Sequence, residues 1–259
     1  MKKGTLLWLI FAIFIVGINS CSKDEDPVVV PTPQTDSLTI YFTAFTNGDT
    51  LVYKKEFKDP LNRTMRIEKL IHYVSNIYLI NENSSTLIKD VELIVYENNG
   101  TPDPGNSRQM IKVSVPIGNY TAIKFGLGLD PVMNSSDPNS FEPEHPLSSD
   151  QNMYWSTWLQ YRFSIIDGRI DLDNDGILND VFSIHPGFNE TYFEKTFDKA
   201  ISIEAGKENA LSFTLEVNEL FFGNDTVDLA KTPTWHGDTA SINVPISLSN
   251  NWINSLILE

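Results

Sequence analysis

Residues 66–80 read Arg66-Ile67-Glu68-Lys69-Leu70-Ile71-His72-Tyr73-Val74-Ser75-Asn76-Ile77-Tyr78-Leu79-Ile80. Ile67, Ile71, Tyr73, Ile77 and Leu79 share one parity, and neither glycine nor proline interrupts the run. Side chains two apart lie on one face of a strand, so this pattern predicts a long strand with one face turned to a core. On either side the chain repeats the theme in shorter form. Strands are predicted over residues 38–45, 91–96, 111–115, 120–127, 158–166, 201–204 and 211–217. Asn47-Gly48, Asn98-Asn99-Gly100, Gly118-Asn119 and Ala205-Gly206-Lys207 punctuate them as turns. Many short strands at this spacing predict an all-β, two-sheet antiparallel β-sandwich of the Ig-like or Greek-key kind, with few helices. Residues 252–258 are read as a short terminal helix capped by Asn250 or Asn251, or as a last strand. Two long polar loops, 98–107 and 130–152, exceed the usual length of a connection, which marks them as candidate functional segments.

The start of the chain carries a different signal. Lys2 and Lys3 precede an apolar run over 6–16, which suits a signal-peptide core and is short for a membrane span. Gly17-Ile18-Asn19-Ser20-Cys21 follows and resembles the lipobox of bacterial lipoproteins. That resemblance implies that residues 1–21 are a lipoprotein signal peptide and that Cys21 is acylated, anchoring the protein to the outer membrane. Ser22-Lys23-Asp24-Glu25-Asp26 is similar to the acidic export tag of Bacteroidota surface lipoproteins, which implies surface exposure; the alternative is a periplasm-facing anchor. Residues 22–36 form an acidic, proline-rich tether, and 37–259 form the folded domain.

Composition narrows the function. The formal charge is −15, and loss of Lys2 and Lys3 makes the remainder more acidic. An acidic surface argues against nucleic acid as a partner. Cys21 is the only cysteine, so no intrachain disulfide forms and stability rests on the core and on any bound metal. Gly-x-Ser-x-Gly, His-Glu-x-x-His and phosphate-loop motifs are all missing, and the chain is read as a non-enzyme.

Asp171-Leu172-Asp173-Asn174-Asp175-Gly176-Ile177-Leu178-Asn179-Asp180 is the sharpest chemical motif. Carboxylates at positions 1, 3 and 5 with glycine at 6 let three oxygens converge, and the Ile177 carbonyl at position 7 adds another. The loop resembles the Asp-x-Asp-x-Asp-Gly loops of EF-hands, dockerins and thrombospondin-type repeats. Phe182 stands where the EF-hand has its bidentate glutamate, and Asp180 is the substitute. The expected ion is Ca²⁺, held between strands rather than between helices.

Four further segments occur in order: Val74-Ser75-Asn76-Ile77-Tyr78-Leu79; Pro116-Ile117-Gly118-Asn119-Tyr120 with Phe125-Gly126-Leu127-Gly128; Met153-Tyr154-Trp155 through Tyr161-Arg162-Phe163; and His185-Pro186-Gly187. Together they resemble the MbnP-like family of copper-associated bacterial lipoproteins. The resemblance implies an exported β-sandwich. It also implies copper held by histidines beside a tryptophan that is oxidised to kynurenine, with a di-haem peroxidase-like partner. Trp155 matches the family's tryptophan and His185 its His-x-Gly histidine. Thr157 stands where the family has Trp or His two residues after that tryptophan. From the residues alone, imidazole suits copper, zinc and nickel. The four histidines are His72, His145, His185 and His236; none is closely paired in sequence, so a site needs distant strands, with His185 and His236 the best pair. The expectation is an envelope-anchored, metal-binding lipoprotein. The alternative is a non-catalytic recognition module that binds glycan or protein through the 130–152 loop.

Overall fold

The structure is a computed structural model that describes residues 34–96 and 108–259. The leader, Cys21, the tether up to residue 33 and the 98–107 loop lie outside the described residues. Two large sheets pack on each other. The first has the order Ile257–Leu258, Asn209–Glu216, Thr35–Thr46 and Asp49–Thr50, with Arg108–Pro116 also paired to Thr35–Thr46. The second runs Phe193–Ile203, Gly118–Leu127, Thr64–Ile80, Ser164–Ile170, Asp180–Ile184, Thr234–Trp235. Phe57–Lys58 and Ser85–Val95 also pair with Thr64–Ile80. A small hairpin joins Tyr154–Trp155 to Gln160–Tyr161.

The fold is therefore the all-β sandwich that the alternation predicts. Inward residues of the first sheet, among them Leu38, Ile40, Phe42 and Phe213, share one apolar cluster with Ile67, Val74, Ile123 and Phe125 of the second. Phe42 stacks on Phe213 with centroids 5.3 Å apart, and Phe125 on Phe197 at 5.0 Å. Each such ring, taken fully out of water, contributes roughly 1.5–3 kcal/mol. Two pairings depart from the antiparallel expectation. Thr35–Thr46 runs parallel to Asn209–Glu216, and Asp180–Ile184 runs parallel to Thr234–Trp235. Parallel neighbours need a long crossover, and here much of the domain lies between the first pair.

The single parity of residues 66–80 does not survive into three dimensions. Ile67, Ile77 and Leu79 enter the main core, but Ile71 and Tyr73 enter a second cluster on the opposite face. Two β-bulges cause this. Pairing with Ser164–Ile170 passes from Ile67 to Lys69 across Asp167 and Gly168, leaving Glu68 over. Pairing with Gly118–Leu127 shifts again between Ser75 and Tyr78, where Asn76 adopts φ 54°. An extra residue flips every later side chain to the other face.

The second cluster explains the 130–152 segment, which is a packed cap. Leu147 and Met153 bury with Ile71, Tyr73, Tyr161 and Phe163. The Tyr73 hydroxyl donates to the Pro146 carbonyl at 2.7 Å, and that of Tyr161 to the Leu147 carbonyl at 2.8 Å. Asp130 opens the segment by capping the turn at Pro131–Asn134.

Other boundaries moved. The expected strand 158–166 is split into Gln160–Tyr161 and Ser164–Ile170, because Phe163 N–H bonds Pro186 O instead of a ladder partner. The terminal helix is longer than expected, Asn243–Ser255, and only Ile257–Leu258 is strand. Asn and Ser are poor interior helix formers. Burial of Leu248, Trp252 and Ile253, with Asn251 donating to Leu220 O and Asp225 O, holds the helix in place. No helix among the described residues is long and apolar enough to cross a membrane.

Candidate functional site

The hairpin Ser164–Ile170 / Asp180–Ile184 positions most of the site. Its register sets Asp167 opposite Ser183, and the period of two puts Ser183 and His185 on one side of their strand. The parallel partner Thr234–Trp235 then brings His236 alongside, with His185 N–H donating to Trp235 O at 3.1 Å. The small hairpin supplies Trp155 from the other side. Three rings meet: His185 and His236 with centroids 4.6 Å apart, Trp155 and His236 at 5.3 Å, Trp155 and His185 at 6.0 Å.

Polar atoms converge at the same place. Ser183 Oγ donates to Asp167 Oδ1 at 2.6 Å and lies 2.9 Å from His236 Nε2 and 3.1 Å from His185 Nε2. His185 Nε2 is also 2.8 Å from Asp167 Oδ1. A carboxylate only accepts, so the neutral His185 ring that fits this contact has its proton on Nε2 and a lone pair on Nδ1. That Nδ1 is buried with no hydrogen-bond partner. Burial pushes the Asp167 carboxyl up, but the bonds from His185 and Ser183 outweigh it and hold the group below its usual value. Burial, and then the neighbouring His185, push the His236 imidazole down. The carboxylate bonds the serine itself and His185. In a serine-hydrolase relay the acid and the serine take opposite ring nitrogens of the base, whereas here Asp167 and Ser183 both approach His185 Nε2.

Trp155 stacks on Trp158 with centroids 4.8 Å apart and planes at 16°. The Arg162 guanidinium lies 5.3 Å from the Trp155 ring centre and donates to the backbone oxygens of Asn152 and Met153.

The other two histidines are elsewhere. His72 is fully buried, stacked on Tyr96, with Nε2 3.2 Å from the Tyr96 hydroxyl. His145 stacks on Phe141 within the cap, and its Nδ1 accepts from Leu147 N–H at 3.1 Å.

The acidic loop joins the two strands of the same hairpin, as the sequence predicts for a loop between strands. One carboxylate oxygen each of Asp171, Asp173 and Asp175 lie within 4.8 Å of one another. Asp171 is buried and accepts from the N–H groups of Asp175 and Gly176 at 3.1 and 3.0 Å. Asp175 accepts from Ile177 N–H. Asn174 and Gly176 take the left-handed conformation, φ 58° and 87°, that the tight bend requires. Asp180 begins the second strand and its carboxylate accepts from Leu172 N–H at 3.2 Å. Ile177 is exposed at the tip of the loop.

Asp167 and Ser183 are neighbours of the site that residue patterns gave no role, while Trp158 and Arg162 lie within the segment from Met153 to Phe163 that carried the resemblance. Only the i, i+2 spacing of Ser183 and His185 carried a signal; the rest depends on register.

Comparison with known proteins agrees with this architecture. The sequence model of the MbnP family matches residues 35–241. The solved structure of MbnP from Methylosinus trichosporium superposes with a TM-score of 0.54 at 15% identity, over 80% of this chain and 82% of that one, a likeness of fold. No curated protein sequence matches the chain. Since the family match takes in all but the Ile257–Leu258 edge of the two large sheets and every ring of the site, the chain belongs to the MbnP family.

Proposed function

We propose that this protein is a non-catalytic, metal-binding lipoprotein of the cell envelope. In this reading it is anchored through Cys21 to the outer membrane and faces the cell surface. It holds copper through His185 and His236 beside Trp155, and a structural calcium ion through Asp171, Asp173 and Asp175, with Ile177 and Asp180 adjoining. The observation that carries the copper reading is the meeting of Trp155, His185 and His236 from three separate segments.

The donor set fits. Neutral imidazole is the ligating form, and the depressed proton affinity of His236 favours it at neutral pH. The buried, unpartnered Nδ1 of His185 is a nitrogen with no competing bond. Copper, when bound, supplies a redox-active cation; the chain's residues orient the imidazoles. By likeness to the family, Trp155 is the ring open to oxidation, with a di-haem peroxidase-like partner as its oxidant. Calcium fits the acidic loop because three converging carboxylates repel one another until a cation neutralises them.

The test is metal analysis of the purified full chain after dialysis. Near-stoichiometric copper, lost in His185→Ala and His236→Ala, supports the reading. Calcium without copper, together with binding to a glycan or protein that is lost when the 130–152 cap is altered, favours the recognition module instead. Fatty-acid labelling that disappears in Cys21→Ser tests the anchor, and protease treatment of intact cells separates the surface from the periplasmic face.

A further inference from the structure

Both candidate ligands are followed by a glycine, in His185-Pro186-Gly187 and His236-Gly237. A side chain on either glycine collides with the same ring. A Cβ on Gly237 would lie 2.1 Å from Trp158 Nε1 and 2.5 Å from Cε2. A Cβ on Gly187 would lie 2.8 Å from Trp158 Cζ3 and 2.4 Å from Tyr161 O. Trp158 Nε1 donates to the His236 carbonyl at 3.0 Å. Its face stacks on Trp155, and Phe188 and Trp235 close around it at 5.3 and 5.5 Å.

We infer that Trp158 is the positioning residue of this site, a wedge that sets the separation of His185 and His236 and the pose of Trp155. The inference rests on the copper reading for its purpose, but its geometry stands without metal. One edge of the indole is tied to the backbone of His236. The opposite edge abuts the glycine two residues after His185. The flat face is shared with Trp155.

A purely core role fits less well. Trp235 and Trp252 are the fully buried tryptophans, whereas Trp158 is half-buried. It sits in a four-residue hairpin turn next to Leu159, which is 69% exposed and held at φ 56°. A β-turn that keeps a bulky residue in the left-handed region and a leucine in water is unfavourable locally. The contacts of Trp158 with the two histidine segments offset that cost.

The glycines follow from the same cause. Gly237 has φ 99°, which itself favours glycine. Gly187 is not in that region, and its lack of a side chain answers only to the close approach of Trp158 and of the Tyr161–Arg162 backbone. The His-x-Gly turn is in this view a seat cut for an indole.

The test uses Trp158→Ala and Trp158→Phe in the full chain, first metal-free. Far-UV circular dichroism and thermal melting establish folding. Ring-to-ring nuclear Overhauser contacts between His185 and His236 read the separation, and the near-UV dichroism of the Trp155–Trp158 stack reads the pose. The expected result is loss of the histidine contact in a folded Trp158→Ala chain. Copper affinity should fall by roughly 10- to 100-fold, as when supporting groups behind metal ligands are removed. Trp158→Phe, which keeps a ring but not the N–H donor, should restore part of both.

A folded Trp158→Ala chain with the histidine contact and copper affinity of the parent overturns the inference. If Trp158→Ala does not fold, Trp158→Phe decides: a shifted His236 ring resonance supports the wedge, and an unshifted one overturns it. A parent chain that takes up no copper sinks the copper reading alone, because the metal-free contact still decides the role of Trp158.

Discussion

Asp167 and Ser183 face each other across one hairpin, with Ser183 Oγ 2.6 Å from Asp167 Oδ1, and that same oxygen takes the His185 Nε2 proton at 2.8 Å. One carboxylate therefore holds both side chains. Its folded affinity for protons is below the usual value. A depressed carboxylate contributes stability that is present above its unfolded pKa and is lost as pH falls through the folded one. Asp167→Asn should destabilise the metal-free protein by about 1–3 kcal/mol at neutral pH, the cost of breaking such a pair. The difference from the parent should shrink toward pH 3. Urea unfolding at a series of pH values reads both.

His72 gives an acid response of separate origin. Burial lowers its pKa from 6.5 to about 3. The folded state keeps it neutral while the unfolded chain binds a proton below pH 6.5, so stability is present above that pH and falls as pH drops toward 3. The loss is about 1.4 kcal/mol per pH unit once the unfolded histidine is charged. His72→Phe should be less stable at pH 7, because the Tyr96 hydroxyl loses its bond to Nε2, but its stability should depend less on pH between 7 and 5. Parallel denaturant curves at those two pH values make the comparison.

Gly168 sits at the first bulge beneath Phe182. An added Cβ would lie 2.3 Å from Arg66 O and 2.3 Å from Phe182 Cζ. The carbonyl belongs to a sheet and cannot swing aside. Gly168→Ala should cost about 1–3 kcal/mol, the range for overpacking a tight interior. Because the change lies in the hairpin that carries Asp167 and His185, it should also weaken copper uptake. Chemical denaturation and metal titration of one variant test both statements.

Calcium should raise the melting temperature, by an amount that grows with the logarithm of its concentration. Asp173→Ala and Asp175→Ala should remove that rise while changing the metal-free melting temperature little, since both residues are exposed. Asp171→Ala should lower stability even without calcium, because its buried carboxylate accepts two backbone N–H groups. Differential scanning calorimetry with calcium and with chelator distinguishes the three.

Much of this architecture was readable before folding. Thr35–Thr46, Arg108–Pro116 and Asn209–Glu216 alternate cleanly in burial, and their strands, with the more deeply buried Gly118–Leu127, fall where the pattern puts them. Phe193–Ile203 was read only at its last residues. In its first half, Phe193-Glu194-Lys195-Thr196-Phe197-Asp198, Lys195 shares the parity of Phe193 and Phe197 and hides the period. The bulges in Thr64–Ile80 could not be seen either, because an extra residue leaves composition unchanged and acts only through pairing. At the site, Trp155, His185 and His236 were nominated from residue chemistry and resemblance, and the structure brings their rings together. Asp167 entered only with the register, since no spacing along the chain announces which acid faces which serine, and Trp158, within the segment that carried the resemblance, gained its place against His236 and Gly187 only from the fold.

The parallel ladder between Thr35–Thr46 and Asn209–Glu216 joins Leu38 to Asn209 and Phe45 to Glu216. The strand synthesised first in this domain is thus completed by one of the last. A chain emerging from a ribosome leaves Phe42 without Phe213 until most of it has been made. Such distant closure slows folding. The early segment can pair with Arg108–Pro116 beforehand, but this sheet is complete only when the C-terminal quarter arrives.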